Sequence, residues 1–184
     1  MSGVIVVFET HATSVDNEAS LASGWFDAAL SAAGEEQARD LGVRRRDDDL
    51  AAVYCSDLTR AIRTAQVAFG DRAIEIVRDA RLRECNYGTF TRHPLAAVEQ
   101  RRRLHVSMPF PRGESYQQVV ERVSASLADM AAKFPDGTVL VVGHRATFYA
   151  LEHLVRRVPL DEAVTSPWQW QPGWIYRVDR TRII

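Results

Sequence analysis

Short runs of consecutive apolar residues alternate along the chain with longer segments in which apolar residues recur every three or four positions. Val4-Ile5-Val6-Val7 is the first of these runs. A short continuous apolar run bounded by turn residues is typical of a strand buried on both faces of a sheet. The runs predict strands over residues 3–8, 51–55, 74–77, 138–142 and 173–178.

The segments between the strands carry the helical pattern. It is clearest over residues 114–134, where apolar positions recur at steps of three and four until Pro135-Asp136-Gly137 ends the helix. Ser31 can cap a helix that runs to about residue 47, with Glu35 and Glu36 in its first turn.

Three further helices are expected. One spans residues 57–69, for which Ser56 and Asp57 are candidate caps, one follows Pro94, and one spans 145–157. Residues 12–30 and 82–88 are expected to form loops.

Strands that alternate with helices predict an α/β fold, namely a three-layer α/β/α sandwich with a mostly parallel sheet. The chain of 184 residues contains no repeat, linker or low-complexity segment. We therefore expect a single domain over residues 1–184.

Composition narrows the choice of partners. The formal net charge is -1, so no overall field attracts nucleic acid or an anionic membrane, and we expect neither as a partner. No apolar stretch approaches the roughly 20 residues that span a bilayer, and no signal peptide is evident. Two cysteines do not make a disulfide framework, so a cytoplasmic protein is expected. The sequence leaves open whether the chain forms a homodimer.

Two histidines follow predicted strands directly. His11 follows the first strand, and His144 follows the strand over 138–142. Ligands of open α/β sheets bind beyond the carboxyl ends of the strands, so both histidines could face one crevice. Arg60 and Glu84 occupy comparable positions after other strands, and Asn17 lies in the loop after His11.

These residue types fit phosphoryl transfer. A neutral histidine is a competent nucleophile, and arginine forks onto two phosphate oxygens with a permanent charge. A carboxylic acid can protonate a departing alkoxide and later deprotonate water. The five histidines show no HExxH or comparable spacing, so no metal site is predicted.

An ordered set of motifs over nearly the whole chain resembles the histidine phosphatase superfamily, which includes the cofactor-dependent phosphoglycerate mutases. Thr10-His11-Ala12 stands where that family has Arg-His-Gly, and Asn17 follows as the family's asparagine does. Four further segments match the family in order: Asp27 through Gln37-Ala38, then SDLTRAIRTA, LRECNYG and PFPRGES, before VLVVGH supplies the second histidine.

The resemblance implies a reaction in two steps without a metal or other cofactor. His11 would attack phosphorus to form a phosphohistidine, and Glu84 would protonate the leaving alcohol and then activate water. Arg60, His144 and Asn17 would hold the phosphoryl oxygens. The expected activity is hydrolysis of a small phosphorylated metabolite, because the chain has little room between Glu84 and Gly113 for the extra segments of the family's mutases.

The departures from the family pattern concern charge. Thr10 replaces the motif arginine, which normally helps to clamp the phosphoryl group, and Ala12 replaces the glycine. Arg145 or Arg83 could supply the lost charge. Alternatively, the substrate or reaction differs, or the protein binds a ligand without turning it over.

Glu9 adds a carboxylate beside the expected phosphate pocket. Strand alternation would point residues 9 and 11 to the same side. An ion pair with Arg60 or Arg145 is the structural interpretation. A contact to a cationic or hydroxyl group of the substrate, or orientation of His11, is the functional one.

Three other segments have both a structural and a functional interpretation. The run Arg101-Arg102-Arg103 is either a solvated helix face or a positive rim around an anionic substrate. The loop Thr91-Arg92-His93 is either solvated or sets substrate choice. Trp168, Trp170 and Trp174 either pack beneath the sheet edge or form a pocket wall.

Overall fold

The computed structural model describes residues 3–179 and contains one five-stranded sheet. The strand order is β3-β2-β4-β1-β5. The first four strands in this order are parallel, and β5 pairs with β1 in the antiparallel sense at the edge. The strands are β1 (Val4–Thr10), β2 (Ala52–Cys55), β3 (Ile76–Arg78), β4 (Thr138–Gly143) and β5 (Trp174–Val178).

Seven helices connect or flank these strands in the described part of the chain. They are α1 (Val15–Glu18), α2 (Ala32–Arg44), α3 (Thr59–Phe69), α4 (Leu95–Glu99), α5 (Tyr116–Lys133), α6 (Arg145–Leu154) and α7 (Leu160–Thr165). Short 3₁₀ turns occur at Ala80–Leu82, Gly88–Phe90 and Arg102–His105. None of the helices in residues 3–179 is long and apolar enough to cross a membrane.

Apolar side chains of the central strands point alternately to two cores. On one face, β-strand residues such as Val53 and Leu140 pack against Leu41 of α2 and Ala65 of α3. On the other face, strand residues pack against the apolar sides of α5, α6 and α7. The prediction of a three-layer α/β/α sandwich with a mostly parallel sheet is therefore confirmed. The single domain over 1–184 stays a prediction, and residues 1–2 and 180–184 lie outside the described residues.

The expected strands and the longer helices are present, with shifted ends. Strand β1 continues two residues further than predicted, to Thr10, and α2 ends at Arg44 rather than near 47. Helix α6 ends at Leu154 instead of 157. Ser31 and Ser115 cap α2 and α5 by accepting hydrogen bonds from the backbone N–H three residues later. The sequence analysis missed α1, within a predicted loop, and α7, because both helices are too short to show a period.

The predicted caps of α3 are wrong. The residue before the helix is Leu58, and neither Ser56 nor Asp57 caps it. Asp27 from the loop before α2 does so instead, since its carboxylate accepts from Thr59 N at 2.6 Å and from Thr59 Oγ1 at 2.7 Å. This contact joins residues 32 positions apart, so no local pattern could reveal it.

Candidate active site

The register of two neighbouring strands brings His11 and His144 together. Thr10 at the end of β1 is paired with Gly143 at the end of β4, and the next residue of each chain segment is a histidine. His11 N donates to Gly143 O at 2.9 Å. The two imidazole rings consequently lie with their centroids 4.9 Å apart at the carboxyl edge of the sheet.

The hydrogen bonds of His11 fix its tautomer. Nδ1 lies 2.7 Å from the carbonyl oxygen of Ala12, which can only accept, so Nδ1 carries the proton. Nε2 is left with its lone pair and accepts from Arg60 Nε at 3.3 Å. Burial, with the positive charge of Arg60, lowers the pKa of His11 to about 3. His11 is therefore neutral at physiological pH and presents an unprotonated nitrogen to the cleft.

His144 is fully enclosed at the start of α6. Its Nε2 lies 2.7 Å from Ser56 Oγ, the residue that follows β2, and its backbone N–H donates to Thr147 Oγ1 at 3.2 Å. Its Nδ1 is buried and has no hydrogen-bond partner among the described residues. Burial and the nearby Arg60 lower its pKa well below the usual value, so this ring is also neutral.

Arg60 is buried in the first turn of α3, and backbone carbonyls hold its guanidinium. Nη1 donates to Phe26 O at 2.9 Å and Nη2 donates to Gly24 O at 2.8 Å, while Nε points to His11. Burial lowers the pKa of Arg60, and the carboxylate of Glu84 opposes this effect. The guanidinium group of Arg60 is therefore held in one fixed orientation next to His11.

Glu84 lies beside these residues on the loop that follows β3. Its Oε1 accepts from Cys85 N at 2.7 Å, and its side chain is largely buried. The backbone carbonyl of Glu84 is held from two sides, by Trp25 Nε1 at 2.7 Å and by Arg122 Nη2 at 2.9 Å.

The sequence analysis did not identify the network that holds the Glu84 loop. Arg122 on α5 also donates to the carbonyls of Arg81 and Arg83, at 2.6 and 2.8 Å, and forms a two-pronged ion pair with Glu114. Glu114 Oε2 in turn accepts from Asn86 N at 2.9 Å. A charged residue on the largely buried face of α5 was the only local signal of this arrangement.

The predicted residues gather around a cleft of about 280 Å³. His11, Arg60, Glu84 and His144 line it together with Thr10, Asn17 and Arg145. The side-chain oxygen of Asn17 accepts from Ser14 N at 3.0 Å in the cap of α1, and Asn17 is exposed at the cleft. Thr10, His11 and Asn17 also border a second cavity of about 380 Å³, which residues of α2 such as Gln37 and Arg44 line as well.

Two arginines stand at the other end of the cleft. Arg145 packs its guanidinium over the ring of Trp168, 5.2 Å from the ring centroid, and Arg102 is almost fully buried. Both line the cleft, and so does Trp168. Within the run Arg101-Arg102-Arg103, only Arg102 borders the cleft, while its two neighbours are exposed.

Glu9 forms an ion pair, but the predicted partners Arg60 and Arg145 are wrong. Its Oε1 accepts from Arg45 Nε at 2.9 Å and from Arg45 Nη2 at 2.8 Å, and its Oε2 accepts from Arg44 Nη2 at 3.1 Å. Glu9 borders the second cavity and not the cleft with Glu84. A Cβ at Gly173, where φ is +88°, would lie 2.0 Å from Arg45 Nη2, so glycine makes room for this ion pair.

Arg83 does not border the cleft. It forms a fork with Asp57, with Nε donating to Oδ1 at 2.6 Å, and packs over the ring of Trp25 at 4.7 Å. The carboxylate of Asp57 neutralises the charge of Arg83. The ion pair and the contact with Trp25 therefore make Arg83 a structural support of the Glu84 loop. This leaves Arg145 as the predicted replacement cation that borders the cleft.

The remaining candidate segments have different surroundings. Arg92 pairs with the buried Asp16 at 3.3 Å and lies over Phe26, so its loop packs onto the loop after β1. Trp174 is buried against Phe8 on the sheet, as the packing interpretation predicts. Trp168 borders the cleft, as the pocket-wall interpretation predicts.

Residues 3–179 contain no group of three or more His, Cys, Asp or Glu side chains arranged to hold a metal ion. Cys55 and Cys85 are buried thiols, and burial raises the pKa of Cys55 to about 12. Neither thiol is therefore a candidate nucleophile.

Comparison with known proteins gives consistent matches. Residues 6–181 match the model of the histidine phosphatase superfamily (branch 1). The chain is 31% identical over 175 residues to "Probable phosphoglycerate mutase GpmB" of Citrobacter koseri, covering 83% of this chain and 81% of that protein. It is 31% identical over 128 residues to "Uncharacterized phosphatase PhoE" of Bacillus subtilis, covering 70% and 65% of the two chains.

A solved structure shows the same architecture. The protein YhfR of Bacillus stearothermophilus superposes with a TM-score of 0.83 at 28% identity, over 96% of this chain and 92% of that one. The family match spans both histidines, four whole strands and β1 from residue 6 onward. Accordingly, the chain belongs to the histidine phosphatase superfamily, branch 1.

Proposed function

We propose that the protein is a metal-independent phosphohydrolase that acts on a small phosphorylated metabolite through a phosphohistidine on His11. The observation that carries the proposal is the state of His11. Its Nδ1–H donates to Ala12 O, so Nε2 is unprotonated. The Nε2 lone pair now accepts from Arg60 Nε, and it would attack phosphorus once a phosphoryl oxygen takes over that N–H. A neutral, oriented imidazole is what nucleophilic attack on phosphorus requires.

The surrounding donors suit the charge of a phosphoryl group. Arg60 Nε lies 3.3 Å from the attacking nitrogen, so a phosphoryl oxygen near His11 would meet a guanidinium whose other nitrogens are already fixed. Asn17 and His144 border the same space. Preorganised donors of this kind stabilise charge in a transition state because they need no reorientation.

Glu84 is the proposed proton donor to the leaving alcohol and the base toward water in the second step. It borders the cleft, and the Arg122 network fixes its backbone. Arg145, on the same cleft, is the proposed source of part of the positive charge that Thr10 does not provide. The proposed setting remains the cytoplasm, with no nucleic acid or membrane as a partner.

The replacement of the motif arginine by Thr10 favours a second candidate function, a ligand-binding protein without turnover. Losing one preorganised donor costs about 10²–10³ in rate. A mutase, as the name of the Citrobacter koseri relative suggests, is a third candidate. We favour turnover over binding alone because the acid, the nucleophile and Arg60 line one cleft. We favour hydrolysis over a mutase because the chain has little room between Glu84 and Gly113 for the extra segments of the family's mutases.

The test is a hydrolysis assay with 4-nitrophenyl phosphate and a panel of sugar, nucleotide and carboxylate monophosphates. We expect release of inorganic phosphate by the wild type, and its loss in His11→Ala. Thr138→Ala, at the start of β4 and outside the cleft, is the control and keeps activity. Absence of phosphate release with all of these substrates would contradict the proposal. Phosphate transfer to another position of the substrate would favour a mutase.

A further inference from the structure

Residues 24–27, in the loop before α2, contact the chain segments that carry Arg60 and Glu84. Arg60 donates through Nη2 to Gly24 O at 2.8 Å and through Nη1 to Phe26 O at 2.9 Å. The backbone of this one loop therefore holds two of the three guanidinium nitrogens. Because Arg60 is only 2% exposed, the orientation of its side chain depends on where the 24–27 loop lies.

The last residue of the 24–27 loop supports the helix that carries Arg60. Asp27 accepts from Thr59 N at 2.6 Å and from Thr59 Oγ1 at 2.7 Å, and so caps the first turn of α3. Thr59 is the first residue of that helix, and Arg60 is the second. The loop thus holds Arg60 both at its guanidinium group and at its backbone.

The same loop contacts the segment of Glu84 through the indole ring of Trp25. Trp25 Nε1 donates to Glu84 O at 2.7 Å, which is short for an N–H···O hydrogen bond. Gly24 packs on the residues that follow Glu84, since a Cβ at this position would lie 3.3 Å from both Cys85 O and Tyr87 N. The 24–27 loop therefore touches the segment of the proposed acid at two points.

Arg83 holds the indole ring of Trp25 in place. Its guanidinium carbon lies 4.7 Å from the ring centroid, and its Nε donates to Asp57 Oδ1 at 2.6 Å. Arg83 directly precedes Glu84, and Asp57 lies between β2 and α3, the helix of Arg60. This ion pair also joins the two segments, and Trp25 packs against it.

Arg60 and Glu84 have no direct contact that could fix their separation. In the described part of the chain their side chains are not hydrogen-bonded to each other, since Arg60 Nε points to His11 and Glu84 Oε1 accepts from Cys85 N. The proposed reaction needs both groups at once, because Arg60 holds the transferred phosphoryl group while Glu84 protonates the oxygen that leaves it. Their relative position therefore depends on the contacts between their segments.

We propose that Trp25 is a positioning residue, which links the phosphate-binding Arg60 to the acid Glu84 through its indole N–H. The inference rests on the proposed function, since it concerns the residues that carry the reaction. Trp25 does not line the cleft, so it acts through its neighbours and not on the substrate. Removal of the indole N–H should therefore impair both the protonation of the leaving group and the binding of phosphate.

The first measurement follows the acid. Trp25→Phe removes the indole N–H and keeps an aromatic ring against Arg83. We expect kcat/KM for glycerol 3-phosphate to fall about 10-fold more than kcat/KM for 4-nitrophenyl phosphate, because only the alkyl leaving group needs Glu84. Trp174→Phe, which is buried on the sheet and outside the cleft, is the matched control and should keep the wild-type ratio. An equal loss with both substrates in Trp25→Phe would overturn the inference.

The second measurement follows Arg60 and is the inhibition constant of inorganic phosphate. It should rise about 3- to 10-fold in Trp25→Phe, which is the effect of weakening roughly one hydrogen bond. Arg122→Met should leave this constant unchanged, because the hydrogen bonds of Arg122 reach Glu114 and the Glu84 loop but not residues 24–27. An unchanged constant in Trp25→Phe would show that Trp25 does not support Arg60.

The third measurement needs no turnover, so it separates this inference from the proposed function. In ¹⁵N-labelled wild type, the indole N–H signal of Trp25 is the one that Trp25→Phe lacks. If that variant fails to fold, it is the signal that persists in all three Phe variants of the other tryptophans, Trp168, Trp170 and Trp174.

Addition of inorganic phosphate should shift the indole signal of Trp25, although Trp25 lies outside the cleft. A signal that does not move would overturn the link between Trp25 and the phosphate-binding residues, whether or not the protein turns over a substrate. Absence of phosphate release from every substrate, together with a shifted signal, would contradict the proposed function and support the link.

Discussion

The arginines at the two ends of the cleft differ in how their guanidinium groups are hydrogen-bonded. At the end with His11, Arg60 uses all three nitrogens on fixed partners, two carbonyls and the imidazole. At the other end, Arg102 and Arg145 converge on one oxygen of Glu99. The first guanidinium is fixed by backbone carbonyls and an imidazole, whereas the second two share a single carboxylate that is 41% exposed.

This difference separates chemistry from recognition. A reacting group must be held in one geometry, because a small displacement of a catalytic side chain costs much of the rate. Recognition of a distant substituent tolerates donors that find their partner only on binding. Variants at the first end should therefore affect all substrates.

The largest expected effect is that of Glu84→Gln, which keeps the shape of the side chain and removes the transferable proton. We expect kcat to fall by about 10²–10⁴. Alkyl phosphates should lose more than 4-nitrophenyl phosphate, because nitrophenolate leaves without protonation. The value of kcat/KM reports the first step alone, so kcat/KM with both substrates measures this difference, and an equal loss of kcat/KM for the two would contradict the role of Glu84 as the acid.

Arg122→Met tests whether the first end owes its geometry to the network behind it. Without the bonds to the carbonyls of Arg81, Arg83 and Glu84, the acid should shift, and kcat should fall by about 10- to 100-fold. The loss should again be larger for alkyl phosphates, which a general loss of folded protein would not produce. Glu121→Gln, an exposed neighbour on α5, is the control and should retain the wild-type ratio.

Lowering the pH should destabilise the folded protein, because the fold holds His11 in its neutral form. The pKa of His11 is lowered from 6.5 to about 3, so between these values the unfolded chain binds a proton that the folded chain does not. The contribution of neutral His11 to the free energy of unfolding is fully present above pH 6.5 and is lost as pH falls toward 3. At pH 5 the free energy of unfolding is therefore lower by about 2 kcal/mol on account of His11. Urea unfolding at pH 7 and pH 5 measures this loss.

His11→Gln is the comparison for the acid effect. The variant has no group at position 11 that titrates between pH 5 and 7, so it should lose less stability than the wild type over that interval. His144, whose pKa is lowered for the same reason, contributes to the loss in both proteins. An identical pH dependence of wild type and variant would show that His11 is not held in its neutral form by the fold.

Thr10→Arg has the smallest expected effect and probes the charge at the first end directly. Restoring a cation between the cleft and the second cavity should raise kcat/KM for 4-nitrophenyl phosphate by about 10-fold, since an added charged donor contributes roughly 1.5–3 kcal/mol at best. Thr138→Arg places the same charge at the start of β4, at the other end of the strand from His144 and outside the cleft, and should leave the rate unchanged. A decrease in rate for Thr10→Arg alone would indicate that the pocket is adapted to the neutral side chain.

The fold and the histidine pair could be predicted because both follow from local patterns. The apolar runs locate the strands, and two histidines that follow parallel strands must meet at one sheet edge. The pairing of Thr10 with Gly143 confirms the position of both histidines at that edge.

The partners of the charged side chains could not be predicted, because they depend on distant segments. Glu9 is 36 positions from Arg45, and Asp27 is 32 positions from the Thr59 that it caps. Arg102 stands within a run of three arginines, and only the turn after α4 decides which of them is buried. Arg122 looks like one more charge on an amphipathic helix until the Glu84 loop is placed against it.

The most direct test of the account is to quench the reaction with 4-nitrophenyl phosphate, whose leaving group needs no acid, within milliseconds and to map the phosphoryl group by mass spectrometry. We predict a phosphate on His11 Nε2 that builds up in Glu84→Gln, where the attack of water lacks its base, and that is absent from His11→Ala. Turnover without any phosphorylated His11 in either wild type or Glu84→Gln would contradict the nucleophile that the geometry of this cleft supports.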